Sequence, residues 1–434
     1  MNTRNYLKTF TLSTLILFAA VSFSYPQTAK ISGPRQEKLL NNLKLLIWTE
    51  PVAEKVTVKL RIHSGAAFDL QNKEGTMALL ADILFPNETS KEFFREDLGG
   101  SLDVVSNYDY IQINATGNPD QVLVILETLA GAVTKPVIDK ETTAKARAAR
   151  IEKVKELEKN PSHVADQAVA KRLFGTFPYG RSADGTAESL AKIDFADLLL
   201  AKQRFLTADN ATLVVSGNVK SDFVFKAVRQ LFGGWEKSDR KIPATFAQPD
   251  VPDTKEFSIE TPNAENGLWR SAIMVAARND KDFYATKVLT EIWQNQFCFN
   301  DESKYCKSSF EPHLLRGIYV VSKNVLLNEP PSPGRNPCSL MLMKDGKAVY
   351  PPITQSNFEQ AKSKIIADLN QKTLSAIDSA DLWLDVDTYR LVSAKDEMQK
   401  ANNITLADVQ RVAENLQKQP LVIVSVKKSS EAKQ

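Results

Sequence analysis

Residues 56–62, Val-Thr-Val-Lys-Leu-Arg-Ile, alternate apolar and polar side chains, the two-residue period of a half-buried strand. Residues 43–48 read as a strand before it. Residues 76–85 are apolar on nearly every side and rich in Ala, Leu and Met, which predicts a buried helix with one carboxylate, Asp82, inside it. A helix over 89–98 stops at Gly99-Gly100, and strands follow at 102–106 and 108–116. Helices are expected at 119–133, at 139–159, where Asn160-Pro161 ends a long charged run, and at 162–174. Phe177-Pro-Tyr-Gly180 reads as a turn, 194–205 as a capped helix, 211–216 as a strand and 222–232 as a helix.

From 236 to 256 the periodicity fades and Pro243, Pro249 and Pro252 appear, the signature of a linker. Beyond it come a strand at 271–276, a helix at 281–294, a proline-rich exposed loop at 328–337, helices at 356–373, 379–391 and 405–416, and a strand at 421–426. The closing helix and strand echo the pair that ends the first half: Phe195-Ala-Asp197 and Leu406-Ala-Asp408 each open a helix that runs into a short apolar strand. A repeat of about 210 residues predicts two homologous lobes of an α+β fold, each a mixed, mainly antiparallel sheet flanked by helices. The boundaries read as 1–24 signal peptide, 25–235 first lobe, 236–256 linker and 257–434 second lobe.

Composition narrows the chemistry. A net charge of +3 without a basic block argues against nucleic acid as the main partner. Arg4 and Lys8, an apolar run over 10–23 and small residues at Ser22 and Ser24 read as a cleaved secretory signal, and no later stretch is apolar enough to span a membrane. A periplasmic or secreted location follows, where disulfides form. Cys298 and Cys306 are close enough to close a small loop, with Cys338 left free or replacing one of them. His63, His163 and His313 are far apart, and neither they nor the cysteines have zinc-ligand spacing. No Gly-x-Ser-x-Gly or phosphate-binding loop is present.

The run containing Gly75, Ala78, Ala81, Asp82, Leu84 and Phe85 resembles the active-site helix of the insulinase and mitochondrial-processing-peptidase family, in which Gly-x-x-His-x-x-Glu-His-x-Leu-Phe supplies two zinc ligands and a general base. The resemblance extends over most of the mature chain. It includes Leu60-Arg-Ile-His-Ser-Gly65, Leu98-Gly-Gly-Ser-Leu102, Phe177-Pro-Tyr-Gly180 with Gly185, Asn210-Ala-Thr-Leu-Val-Val-Ser-Gly217 and Thr405-Leu-Ala-Asp-Val-Gln-Arg-Val-Ala413. It implies the family's half-clamshell fold. Matched position by position, Ala78 and Asp82 stand where the histidines would be and Ala81 where the base would be. Lys153, beside Glu152, falls near the third ligand, and Asp82 is expected to pair with Lys153. Arg316 and Tyr319 resemble the arginine–tyrosine pair that contacts substrate in the second lobe, though more tightly spaced; residues 294–305 lack the glycines of the family's non-catalytic substrate loop.

The resemblance therefore implies a non-catalytic member, without metal or other cofactor. Its expected partners are an active metallopeptidase homologue in a heterodimer and a peptide or unfolded-protein substrate. The alternatives are a stand-alone peptide-binding or assembly protein, and a metallopeptidase with a relocated site around Asp82, Glu152 or the cysteines.

Overall fold

The computed structural model describes residues 33–238, 246, 248–264, 267–297, 306–325, 342–344, 347–349 and 352–429. The segment read as a signal peptide, the expected proline-rich loop at 328–337, Cys298 and Cys338 lie outside them. The first sheet is built from β1 (Arg35–Lys38), β2 (Lys44–Thr49), β3 (Val56–Ile62), β4 (Ser101–Ser106), β5 (Ile111–Gly117) and β6 (Ala211–Gly217), in the order β1-β2-β6-β3-β5-β4. The second uses β7 (Phe257–Thr261), β8 (Gly267–Val275), β9 (Cys306–Glu311), β10 (Gly317–Val325) and β13 (Val422–Lys428), in the order β7-β13-β8-β10-β9. β11 (Leu342–Lys344) and β12 (Lys347–Val349) form a separate ribbon.

The two sheets repeat one another. In β2-β6-β3-β5-β4 the first pair is parallel and the remainder antiparallel, and β7-β13-β8-β10-β9 has the same sequence of pairings. The helix before each sixth-strand equivalent also starts alike. Asp194 opens α7 (Phe195–Phe205) with a capping box closed by Asp197, and Thr405 opens α13 (Leu406–Leu416) with one closed by Asp408. The fold is α+β with two mixed sheets flanked by helices, as the periodicity predicts. The expected strand from 108 starts instead at Ile111, because the Asn107 side chain accepts from the backbone N–H of Asp109 and Tyr110 and turns the chain there.

In the first lobe α1 (Thr76–Leu84), α2 (Glu88–Glu96), α3 (Val122–Thr134), α4 (Lys140–Glu158), α6 (Ala187–Ala191), α7 and α8 (Ser221–Phe232) accompany the first sheet. Odd-numbered residues of β2, Leu45 and Ile47, join the large core under these helices, while Leu46 and Trp48 face the other way. In the second lobe α9 (Phe283–Phe297), α10 (Gln355–Gln371), α12 (Ala394–Asn403) and α13 surround a core containing Val275, Tyr319 and Val321.

The back of each sheet is covered by a helix from the other lobe. α5 (Pro161–Phe174) lies on β8 and β13, its Val169, Leu173 and Phe174 packing on Ala272, Val422 and Val424. α11 (Ala376–Thr388) lies on β6 and β3, where Ala376, Ala380 and Leu384 meet Leu46, Trp48 and Val214. This reciprocal exchange ties the lobes together across the 236–256 segment.

Candidate functional site

α1 starts at Gly75, whose φ of 92° lies in the left-handed region, and a Cβ there would come within 2.8 Å of the Asp184 carbonyl oxygen. The first turn is satisfied from outside: the buried Asp69 carboxylate accepts the N–H of Gly75 at 2.8 Å and of Met77 at 2.9 Å. Burial pushes the Asp69 carboxyl up to about 7, against the pull of those two donors. Every α1 side chain except Asp82 is buried, as the apolar run predicts. The helix packs beside β4, whose outer edge has no neighbouring strand among the described residues.

Asp82 does not pair with Lys153. Arg150 Nε meets Asp82 Oδ2 at 2.7 Å and Nη2 meets Oδ1 at 2.7 Å, a two-pronged ion pair. Nη1 continues to Asp184 Oδ1 at 2.8 Å, and Nη2 also donates to the Ala78 carbonyl at 3.1 Å. The guanidinium thus lies along the i, i+4 face of α1 that carries Ala78 and Asp82. Its side chain is only 4% exposed, whereas Asp82 and Asp184 are each 38% exposed.

Helical phase is the reason for the correction. The inward face of α4 recurs at Thr143, Arg147, Arg150 and Val154, with Arg147 bonding the Ile193 carbonyl. Lys153 and Glu152 project outward, and Glu152 pairs with Lys155 at 2.8 Å. The 3-4 spacing of Arg147, Arg150 and Val154 is the sequence signal that points to Arg150.

The zinc ion that the resemblance implies for active members does not fit these side chains. Ala78 and Ala81 offer no donor atom, both Asp82 oxygens are engaged, and a guanidinium cation occupies the facing position. Among the described residues no three His, Cys, Asp or Glu side chains are grouped to hold a metal ion.

Arg316 and Tyr319 are not brought together. Arg316 is exposed and lines a cleft with Asp250, Asp280 and Asp282. Tyr319, three residues on along an extended chain, faces the opposite side, fully buried with its ring centroid 5.6 Å from that of Trp293. Cys306 is buried and disulfide-bonded.

Two polar clusters escaped the sequence reading. On the back of the first sheet, Lys59 meets Asp381 at 2.7 Å, Arg61 meets Asp385 at 2.7 Å, and Lys44 meets Asp387 at 3.0 Å. His63 bridges the hydroxyls of Thr388 and Thr212, and burial lowers it to about 4. The i, i+4 pair Asp381 and Asp385 in α11, facing the basic positions of β3, was the legible signal. At the other junction Asp109 accepts from Tyr179 Oη at 2.8 Å and engages His313 Nδ1 at 3.0 Å. The Tyr179 hydroxyl in turn accepts the Leu315 N–H. Nothing in one dimension links 109, 179 and 313.

Residues 44–187 match the description "Insulinase (Peptidase family M16)" and residues 192–301 match "Peptidase M16 inactive domain", together more than half of the chain. An uncharacterized zinc protease of Rickettsia felis is 22% identical over 219 residues, 48% of this chain and 52% of that protein. A probable mitochondrial-processing peptidase subunit beta of Arabidopsis thaliana is 24% identical over 210 residues, 46% of this chain and 39% of that one. The matches thus span about half or less of these curated relatives. A protease from Helicobacter pylori shares the fold with a TM-score of 0.78 at 16% identity, covering 91% of this chain and 100% of that one.

Proposed function

The chain belongs to the insulinase family, peptidase family M16, and we propose that within it this protein is an exported, non-catalytic member that serves as the regulatory or substrate-binding half of a pair with an active zinc metallopeptidase. The observation that carries the reading is Arg150. A metallopeptidase needs three ligands and a free position for water; here the corresponding face of α1 holds two methyl side chains and a carboxylate clamped by an arginine. The scaffold around it is intact, with the left-handed Gly75, the Asp69 cap and, beside α1, β4, whose outer edge has no neighbouring strand among the described residues. Peptide is recognised by main-chain pairing to β4, with side chains alternating between the two faces of the sheet. Export to the periplasm or medium is supported by the apolar run after Arg4 and Lys8, and among the described residues no helix is long and apolar enough to cross a membrane. The relative named as a processing-peptidase subunit supports pairing as the mode of action.

The test is to mix the purified mature chain with an intact His-x-x-Glu-His homologue from the same source. A one-to-one complex in sedimentation velocity, with a rise in the homologue's kcat/KM, is expected. A chain that stays monomeric and leaves the homologue's rate unchanged refutes the pairing.

A further inference from the structure

The back of the first sheet carries a ladder of ion pairs that is complete except at one end. Directly opposed residues share a face of a sheet, and the register sets Lys38 of β1, Lys44 of β2, Thr212 of β6 and Arg61 of β3 in one row. α11 answers this face with acids. Lys59 has Asp381, Arg61 has Asp385, and Lys44 has Asp387, whose second oxygen takes the Thr212 hydroxyl at 2.8 Å. α11 ends at Thr388, one residue past the acid that answers β2. Beyond it, at β1, the chain supplies Arg390 in place of a further acid. Neither Lys38 nor Arg390 makes an ion pair or a side-chain hydrogen bond among the described residues.

Both unpaired cations line one cavity of about 340 Å³, walled by the first lobe and by Leu314, Asp387, Thr388 and Arg390 of the second. Lys44 and Asp387 neutralise one another across 3.0 Å, and His63 already engages the hydroxyls of Thr388 and Thr212. The remaining acid in the wall, Asp209, accepts the Ser238 N–H at 2.9 Å and pairs with neither cation. Positive charge is thus in excess in a cavity whose volume lies at the lower end of the range for ligand sites, roughly 300–1,000 Å³.

The backbone at Arg390 points the same way. Its φ is 56°, and the Leu391 N–H bonds the Val386 carbonyl at 2.9 Å, so Arg390 is the left-handed residue that closes α11, a position where glycine is the usual occupant. Of the three non-glycine residues with positive φ among the described residues, the other two are Asn42 and Asn72, the type that tolerates this conformation best. A cation gains from the helix dipole anywhere in the last turn, so the dipole alone does not call for arginine at the one position that costs backbone energy.

We propose that this cavity binds a small phosphate-bearing anion, inorganic phosphate or a phosphomonoester, held between the Arg390 guanidinium and the Lys38 ammonium. The guanidinium fork matches two phosphate oxygens and leaves a third for the ammonium, which a two-oxygen carboxylate does not offer. The bound anion ties β1 of the first lobe to the end of α11 from the second. The site lies on the face of the first sheet opposite the core that holds α1, and it stands whether or not the chain pairs with a peptidase.

Calorimetry and thermal unfolding of the mature chain, at constant ionic strength in phosphate-free buffer, test this with inorganic phosphate, glycerol 3-phosphate and acetate as probes. Saturable binding of phosphate with a concentration-dependent rise in the unfolding midpoint is expected, and the tighter of the two phosphates identifies the source of the anion. Acetate should bind at least about tenfold more weakly. Lys38→Gln and Arg390→Gly should each weaken phosphate about tenfold or more, since each removes one charge-assisted contact. Without phosphate, Arg390→Gly should unfold at a higher temperature than the parent, because glycine adopts this φ freely, and Lys38→Gln should unfold where the parent does. Absence of saturable binding up to about 10 mM phosphate, acetate binding equal to phosphate, or phosphate affinity unchanged in both variants overturns the proposal. So does an Arg390→Gly variant less stable than the parent without phosphate, since the arginine would then serve the fold.

Discussion

Replacing Arg150 with alanine removes a guanidinium that donates two hydrogen bonds to Asp82, one to Asp184 and one to the Ala78 carbonyl. A hydrogen bond to a charged group contributes roughly 1.5–3 kcal/mol when its partner stays buried. The three bonds to carboxylates cannot be summed at that rate, because Asp82 and Asp184 are each 38% exposed and regain water once freed. The Ala78 carbonyl keeps its intrahelical bond, so its share is small. Discounted in this way, the loss should be about 3 kcal/mol, near the lower end for breaking a buried ion pair by removing one partner. Arg150→Lys should recover only part of it, since a point charge cannot make the two-pronged contact. Lys153→Ala, on the solvent side of the same helix, should change stability by less than about 0.5 kcal/mol. Urea unfolding followed by circular dichroism, with m-values checked for equality, reads all three. A double-mutant cycle with Asp82→Ala should show a coupling of about 1 kcal/mol or more. An Arg150→Ala midpoint equal to that of Lys153→Ala would refute the assignment of Arg150 to the α1 site.

Asp69, which is buried, and His63, which is half-buried, should pull stability in opposite directions with pH. His63 is lowered from 6.5 to about 4, so its contribution is present above pH 6.5 and is lost as pH falls through about 4. Asp69 is raised from 3.8 to about 7, so its contribution is present below pH 3.8 and is lost as pH rises through about 7. The shifts correspond to about 3 kcal/mol for His63 and about 4 kcal/mol for Asp69, and the two largely offset in the native chain between pH 4 and 6.5. His63→Gln should therefore become more stable relative to the parent as the pH is lowered over that window, and Asp69→Asn relatively more stable as it is raised; parallel pH–stability curves for parent and variants would contradict both assignments. Gly75→Ala should cost roughly 1–3 kcal/mol, because φ is 92° and the new Cβ meets the Asp184 carbonyl at 2.8 Å; thermal unfolding with an unchanged midpoint would show that the turn relaxes freely.

The fold was legible where one period dominated. The alternation of 56–62 and the apolar run of 76–85 are local signals, and the paired capping boxes at Asp194 and Thr405 make the duplication visible in the sequence. The exchange of α5 and α11 between the lobes was not legible, because each helix packs on a sheet distant in sequence from it. The site was legible as a frame: Gly75, Ala78, Ala81 and Asp82 identify the helix and what it lacks. The partner of Asp82 was missed because α4 is charged along most of its length, so its inward stripe carries little hydrophobic contrast. The Asp109–Tyr179–His313 cluster depends wholly on tertiary contact, with a separation of 204 residues between Asp109 and His313.

The most direct test of the account is the zinc content and peptidase activity of the purified mature chain, alone and with an intact homologue. Metal-free protein, without turnover by itself and raising the homologue's rate, is the predicted result. One equivalent of zinc together with chelator-sensitive turnover by the chain alone would contradict the reading of residues 78–82 and of Arg150.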